Sequence, residues 1–196
     1  MALYKGEDKI KDIYLGDVPI FKVYAGEEFC GFFTFSHENL ISNSDLLIDS
    51  DSDGIPDGFV YSANTTDKTL VNGIAKFTAT AKNGSFSKSS FATVATVGIK
   101  YYQACKVKSD SNLVRMGGLI TTVFHSGSGN FEYLSIVGDA VATSFTIGDN
   151  RTSGWTPIEV DYMVVISITD LVSRGILPSG LTNSQYKDIL DNYFNS

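Results

Sequence analysis

Residues 58–88 read GFVYSANTTDKTLVNGIAKFTATAKNGSFSK. Four short runs stand out: Gly58–Ala63, Lys68–Leu70, Ile74–Ala81 and Phe86–Lys88. Aromatic and β-branched side chains recur in them, as they do in strands. Asn72-Gly73 and Asn83-Gly84 fall between runs. Asn-Gly accepts the left-handed backbone of a tight hairpin, so it is a turn signal with a mechanism. The stretch therefore predicts strands joined by turns.

Working outward, further strand candidates are Gly98–Lys108, Val114–Phe124, Phe131–Ile136, Ala142–Ile147 and Pro157–Thr169. Residues 126–130 (SGSGN) and Gly148-Asp149-Asn150 divide them, and Gly117-Gly118 inside one candidate suggests a bulge. Roughly eight to ten short strands at this spacing indicate an antiparallel sandwich or barrel.

Both ends differ from this middle. Tyr4-Lys5-Gly6-Glu7, Tyr14-Leu15-Gly16-Asp17 and Tyr24-Ala25-Gly26-Glu27 repeat with a period of ten residues. Gly followed by an acid reads as a turn, so residues 1–35 predict a small β-meander, too short to be stable alone. It either completes the main fold or serves as an anchor. At the other end, Leu171–Arg174 predicts one helical turn stopped by Gly175. Thr182 with Gln185 three residues on is a helix start. Tyr186, Ile189, Leu190, Tyr193 and Phe194 then line one face of an amphipathic helix.

The chain has 196 residues with 43% hydrophobic content, enough for one domain and its core. Fifteen basic against 22 acidic residues give a net charge of -7. No basic cluster offsets that balance, which argues against nucleic acid. No apolar leader opens the chain, and the longest apolar run, Tyr162–Ile166, is too short to cross a bilayer. A membrane role is not expected. Cys30 and Cys105 have no metal-knuckle flanks and read as reduced, partly buried thiols.

Residues 49–58 read DSDSDGIPDG. Asp49, Asp51 and Asp53 have the 1-3-5 spacing of a calcium loop, Ile55 offers a carbonyl at the seventh position, and Asp57 stands at the ninth. The twelfth position, where an EF-hand needs a bidentate Glu, is Val60. Two readings stand: a structural Ca2+ clip, or a solvated acidic turn. Sugar binding would use aromatic faces with nearby polar groups. The candidates chosen are Tyr61, Tyr102, Phe124, Tyr133 and Asn130. Tyr101 and Tyr102 point to opposite faces of their strand, so at most one is expected in the open; Trp155 is expected in the core. Glu159 and Asp161 alternate on a strand, but no tight pair of carboxyls suggests glycoside hydrolysis. No catalytic residues are assigned.

The segment Asn39–Asp45 followed by Asp51–Phe59 resembles the "NLL-x-N" and "DGDGIPDGW" opening of jelly-roll carbohydrate-binding modules. Lys100-Tyr101-Tyr102 with Lys106-Val107-Lys108 is similar to their "KYY…VK" strand. The tail from Ile168 to Phe194 resembles the "IDLTAAFGAGNEPT" signature and helix of tail and minor structural proteins of phages infecting Gram-positive bacteria. Here residues 172–175 (VSRG) and 177–180 (LPSG) replace the usual middle and the "GNEP".

The resemblance implies an all-β jelly-roll sandwich over residues 36–196, with the residue 1–35 meander as anchor and a C-terminal helix. It implies a non-enzymatic virion protein of the tail, baseplate or a fibre, assembled in the host cytoplasm. Its expected partners are other virion proteins and a host cell-surface glycan, with assembly as a homo-oligomer, for instance a trimer. The alternatives are a purely structural head decoration or head fibre, and a glycan-cleaving virion enzyme.

Overall fold

A computed structural model of the chain describes residues 39–194, apart from 43, 44, 89, 90 and 92–94, and only the backbone of five strands before residue 39. Those strands are β1 (Tyr4–Lys5), β2 (Asp8–Lys9), β3 (Ile13–Leu15), β4 (Val18–Ala25) and β5 (Glu28–Phe33). β1 pairs with β2, and β3-β4-β5 form a three-stranded antiparallel sheet. Lys5 faces Asp8, Leu15 faces Val18 and Ala25 faces Glu28, so each Gly-acid pair falls between paired strands. The Gly-acid residues themselves, like His37, lie outside the described residues.

Ten further strands follow: β6 (Phe59–Tyr61), β7 (Thr65–Val71), β8 (Ile74–Ala79), β9 (Gly84–Lys88), β10 (Lys100–Lys108), β11 (Val114–Gly117), β12 (Val123–Phe124), β13 (Phe131–Asp139), β14 (Thr146–Asp149) and β15 (Pro157–Ser167). They form two five-stranded antiparallel sheets, ordered β13-β10-β15-β8-β7 and β12-β11-β14-β9-β6. The Asn72-Gly73 turn behaves as its sequence predicts. Both residues have positive φ (51° and 76°), and Val71 pairs directly with Ile74. Two boundaries differ from expectation. No strand spans Gly117-Gly118: β11 ends at Gly117, because Gly118 takes φ 101°. Gly148 and Asp149, expected in a turn, are the end of β14.

The inner faces of the two sheets make the main core. Phe59 stacks on Phe86 at 5.0 Å, and Phe77 meets Phe86 across the sandwich at 6.3 Å. Phe86 and Ile147 are directly paired neighbours, as are Ile147 and Met116, and all three are fully buried. β15 carries a bulge at Asp161: Lys106 faces Tyr162 while Val107 faces Val160. The extra residue resets the alternation. Ile158 and Val160 face the core before it, and Met163 and Val165 after it.

Beyond Val160, β15 has no β8 partner, and Asn39 supplies one. Its side-chain oxygen accepts from Val165 N at 3.0 Å, its amide donates to Met163 O at 3.2 Å, and Leu40 N donates to Val165 O at 2.8 Å. The Asn-Leu pair thus ties the start of the described domain to the sheet.

The outer face of the first sheet is apolar and covered. Tyr102, Ala104, Val137, Val164 and Ile166 lie under helices α1 (Ile168–Ser173) and α2 (Asn183–Phe194), packed against Leu171, Tyr186 and Leu190. The helix begins at Ile168, inside the expected final strand, because the Ser167 hydroxyl accepts from Asp170 N at 3.1 Å and caps it. α2 starts as its sequence signal requires: Gln185 N donates to Thr182 Oγ1 at 3.3 Å, and Thr182 N donates to Gln185 Oε1 at 2.9 Å. No helix among the described residues is long and apolar enough to cross a membrane.

Candidate functional site

Among the described residues, one broad face has no helix over it: the outer face of the second sheet. Strand alternation sets what it displays. Across one row, Val60 faces Ser87, Ser87 faces Thr146 and Thr146 faces Gly117. Across the next, Ser85 faces Gly148, Gly148 faces Arg115 and Arg115 faces Phe124. Gly117, Gly118 and Gly148, with Ser85, Thr122 and Thr146, line a groove of about 320 Å3 that Asn83 and Arg115 complete. Ser87 and Thr146 hydroxyls hydrogen-bond each other at 3.0 Å. Arg115 reaches Asn83 Oδ1 at 3.4 Å, and no carboxylate among the described residues pairs with it. Phe124, 49% exposed, stands beside it. An open ring, a guanidinium, an amide and hydroxyls around a small-residue floor are the groups that hold a polar, CH-rich ligand such as a sugar.

The groove is held from behind. Gln103, fully buried on β10, donates from Nε2 to Gly117 O at 3.2 Å and accepts from Ile120 N at 3.2 Å. It links the first sheet to the edge of the groove. At its other end, Asp149 is fully buried and takes Arg151 Nε at 3.0 and 2.8 Å and Nη2 at 2.5 Å. Arg151 Nη1 also donates to Gly154 O and Thr156 Oγ1, and its guanidinium lies 5.9 Å from the Trp155 ring. Trp155 is therefore half-buried on an arginine rather than in the core.

Of the five sugar-contact candidates, the structure places Phe124 alone beside this groove. Tyr61 points inward, with its ring 5.6 Å from Phe77 and 5.0 Å from Phe86 and its buried hydroxyl without a hydrogen-bond partner among the described residues. Burial pushes its phenol pKa up. Tyr102 is 0% exposed; its hydroxyl bonds Tyr133 and Asp191 Oδ1, the latter at 2.9 Å. Tyr133 lies against Tyr162 at 6.0 Å, half-buried beside α2. Tyr101 and Tyr102 are both buried, within the expectation of at most one in the open, and α2 covers the face that Tyr102 occupies. Asn130 is exposed in the 126–130 loop, and its carbonyl is taken by His125.

That loop is a closed hydrogen-bond network. His125 has a fully buried side chain. Its Nδ1 accepts from Gly127 N at 2.8 Å, which assigns the proton to Nε2, 3.1 Å from Asn130 O. Glu132 accepts from the Ser126 hydroxyl, from Ser126 N at 2.9 Å and from the Ser128 hydroxyl at 2.6 Å. Burial works against its charge, but these bonds outweigh it and bring its pKa down to about 2. Glu159 and Asp161 are also engaged, with Lys76 and Lys108 (3.6 and 3.4 Å) and with Lys106 (2.7 Å). Cys105 is a free, buried thiol whose pKa burial pushes up. The structure does not describe the Cys30 side chain.

The aspartate loop brings together three of the four carboxylates expected there. Asp49, Asp51 and Asp57 bring carboxylate oxygens within 4.8 Å of one another. Asp53 does not join them; its Oδ1 accepts from Ile55 N at 2.8 Å. The carboxylates also hydrogen-bond the loop's own amides. Asp49 accepts from Asp53 N (3.2 Å) and Gly54 N (3.1 Å), and Asp57 from Ser50 N (3.0 Å). The charge of Asp53 raises the Asp51 pKa, while hydrogen bonds from Ser50 lower that of Asp57. Hard carboxylate oxygens at this separation fit a calcium ion.

Two face-packed antiparallel sheets, one covered by helices and one open, make this an all-β sandwich of jelly-roll type. No protein-family model matches the chain, and no curated protein matches it. Among solved structures it is similar to a substituted family 29 carbohydrate binding module complexed with cellulohexaose. The identity is 17% over 58% of this chain and 83% of the module, with a TM-score of 0.38. It is likewise similar to a family 29 module from Piromyces equi, at 15% identity over 58% of this chain and 82% of the module, with a TM-score of 0.38.

Proposed function

We propose that this protein is a non-enzymatic glycan-binding component of a phage virion. In this reading the groove on the outer face of the second sheet takes a sugar chain of the host surface. Residues 1–35 join the domain to other virion proteins. The observation that carries the binding role is the groove itself: a floor without bulky side chains at Gly117 and Gly148, with Phe124 and Arg115 beside it. Fold alone does not carry a function, so the reading rests on these side chains. The virion setting is supported by the N-terminal repeat and the tail motif, and an oligomer such as a trimer belongs to the same proposal. Calcium, in this reading, clips Asp49, Asp51 and Asp57 together and has no catalytic part.

A glycan array tests the binding role. Wild-type protein is expected to bind a subset of glycans. Phe124→Ala should weaken binding by roughly tenfold, the usual scale of one stacked aromatic contact. Absence of glycan binding, together with tight docking to virion proteins, would replace this reading with a purely structural role. Release of reducing ends from purified cell wall would replace it with an enzyme.

A further inference from the structure

We infer that the groove selects an anionic glycan, one bearing a carboxylate or a phosphodiester in its repeat, over a neutral one; this rests on the glycan-binding reading above. The lining of the groove contains a single charged side chain, Arg115. Its remaining polar groups are the Asn83 amide and the hydroxyls of Ser85, Thr122 and Thr146. The acid nearest in sequence register, Asp149, pairs with Val114 and points into the protein, where Arg151 neutralises it. Arg115 therefore contributes a cation whose only described hydrogen bond is the 3.4 Å contact to Asn83.

Among the described residues most cations meet a carboxylate. Lys76 and Lys108 share Glu159, Lys106 meets Asp161, and Lys187 meets Asp191. In a chain of net charge -7, a guanidinium beside the floor of a groove, with no carboxylate partner among the described residues, is a specific feature. A guanidinium offers a planar fork of donors that matches the paired oxygens of a carboxylate or phosphate. Phe124 is directly opposite Arg115 on the same face. One sugar ring can thus stack on Phe124 while its acidic group meets Arg115. The neutral hydroxyls and the Asn83 amide serve the remaining sugar hydroxyls.

The floor also supplies a clean control. A Cβ on Gly148 would meet nothing closer than Ser85 Cβ at 3.6 Å, and its φ is not in the left-handed region. Gly148→Leu should therefore keep the fold and fill the groove.

The test measures affinity of the full chain for three probes: an oligogalacturonate, a polyol-phosphate polymer and neutral cellohexaose. The variants are Arg115→Met, Arg115→Lys and Gly148→Leu, each checked by thermal melting. At least one acidic probe should bind more tightly than cellohexaose, and which one binds identifies the acidic group. Arg115→Met should weaken that binding by roughly tenfold or more, the scale of a charge-assisted hydrogen bond. Arg115→Lys should keep part of it, and Gly148→Leu should abolish it. Equal binding of neutral and acidic probes, with no change in Arg115→Met, would overturn the anionic selection. The groove would stand in that case, provided Gly148→Leu still abolished binding. Acidic binding that survives Gly148→Leu would also overturn the inference, by placing the contact elsewhere. If neither these probes nor the glycan array gives binding, the glycan-binding reading itself fails.

Discussion

The Asp149–Arg151 pair gives the sharpest test of how this sandwich is held. Asp149 is 0% exposed at the end of β14, and both of its oxygens are engaged by Arg151. Arg151→Met removes every side-chain donor to that carboxylate and leaves a buried charge. Breaking a buried pair from one side costs about 3–5 kcal/mol. For a chain of this size each kcal/mol moves Tm by about 2–4 °C, so the expected loss is roughly 6–20 °C. Urea denaturation read by fluorescence gives the free energy directly. The internal control is Arg174 with Asp170, an i,i+4 pair at 2.9 Å whose side chains are 42% and 54% exposed. Arg174→Met should cost under about 1 kcal/mol, since water already solvates both charges. The double variant Asp149→Leu/Arg151→Met should recover most of the loss, because an apolar pair leaves no stranded charge. Equal small losses in Arg151→Met and Arg174→Met would refute the claim that burial sets the difference.

Three more outcomes follow from the same geometry. Glu132 has a folded pKa of about 2 against an ordinary 4.5, so its stabilisation is complete above pH 4.5 and lost as pH falls toward 2. Glu132→Gln should flatten that acid limb of the stability profile, and an unchanged limb would count against the serine network. Tyr102→Phe leaves the Tyr133 hydroxyl and Asp191 without their shared partner, at a cost of about 1–2 kcal/mol. Hydrogen exchange in α2 should quicken in that variant, and protection equal to wild type would refute the link. Chelation with EDTA should lower the melting temperature, and excess calcium should restore it. A melt that responds to neither would remove calcium from the aspartate loop.

Much of the architecture was legible because it rests on local rules. Residues 58–88 show where strands stop, since Asn72-Gly73 needs positive φ and a strand interior does not. The helix start at Thr182 was legible for a similar reason: its cap partner lies three residues away. The errors fall where the cause is distant in sequence. Tyr102 is chemically a good sugar platform, and only the packing of α2 turns it into core. The bulge at Asp161 shifts the facing of β15, and no periodicity announced it. At Asp49–Asp57 the acids were legible in the sequence, but not their hydrogen bonds to the loop's own amides, which only the folded loop shows.

The groove shows the division most clearly. Arg115, Ser85, Thr146 and Gly148 are scattered over more than sixty positions and share no motif, so no signal in the sequence joined them. Their common face could have been inferred only from strand register. By itself the sequence determined an antiparallel sandwich or barrel with a C-terminal helix, because turn chemistry and periodicity act between near neighbours, and the resemblance to jelly-roll modules pointed to the sandwich. Only the tertiary structure decided which sheet the helices cover, and therefore which face remains open to a ligand. That choice depends on pairings between distant strands and on the burial they create.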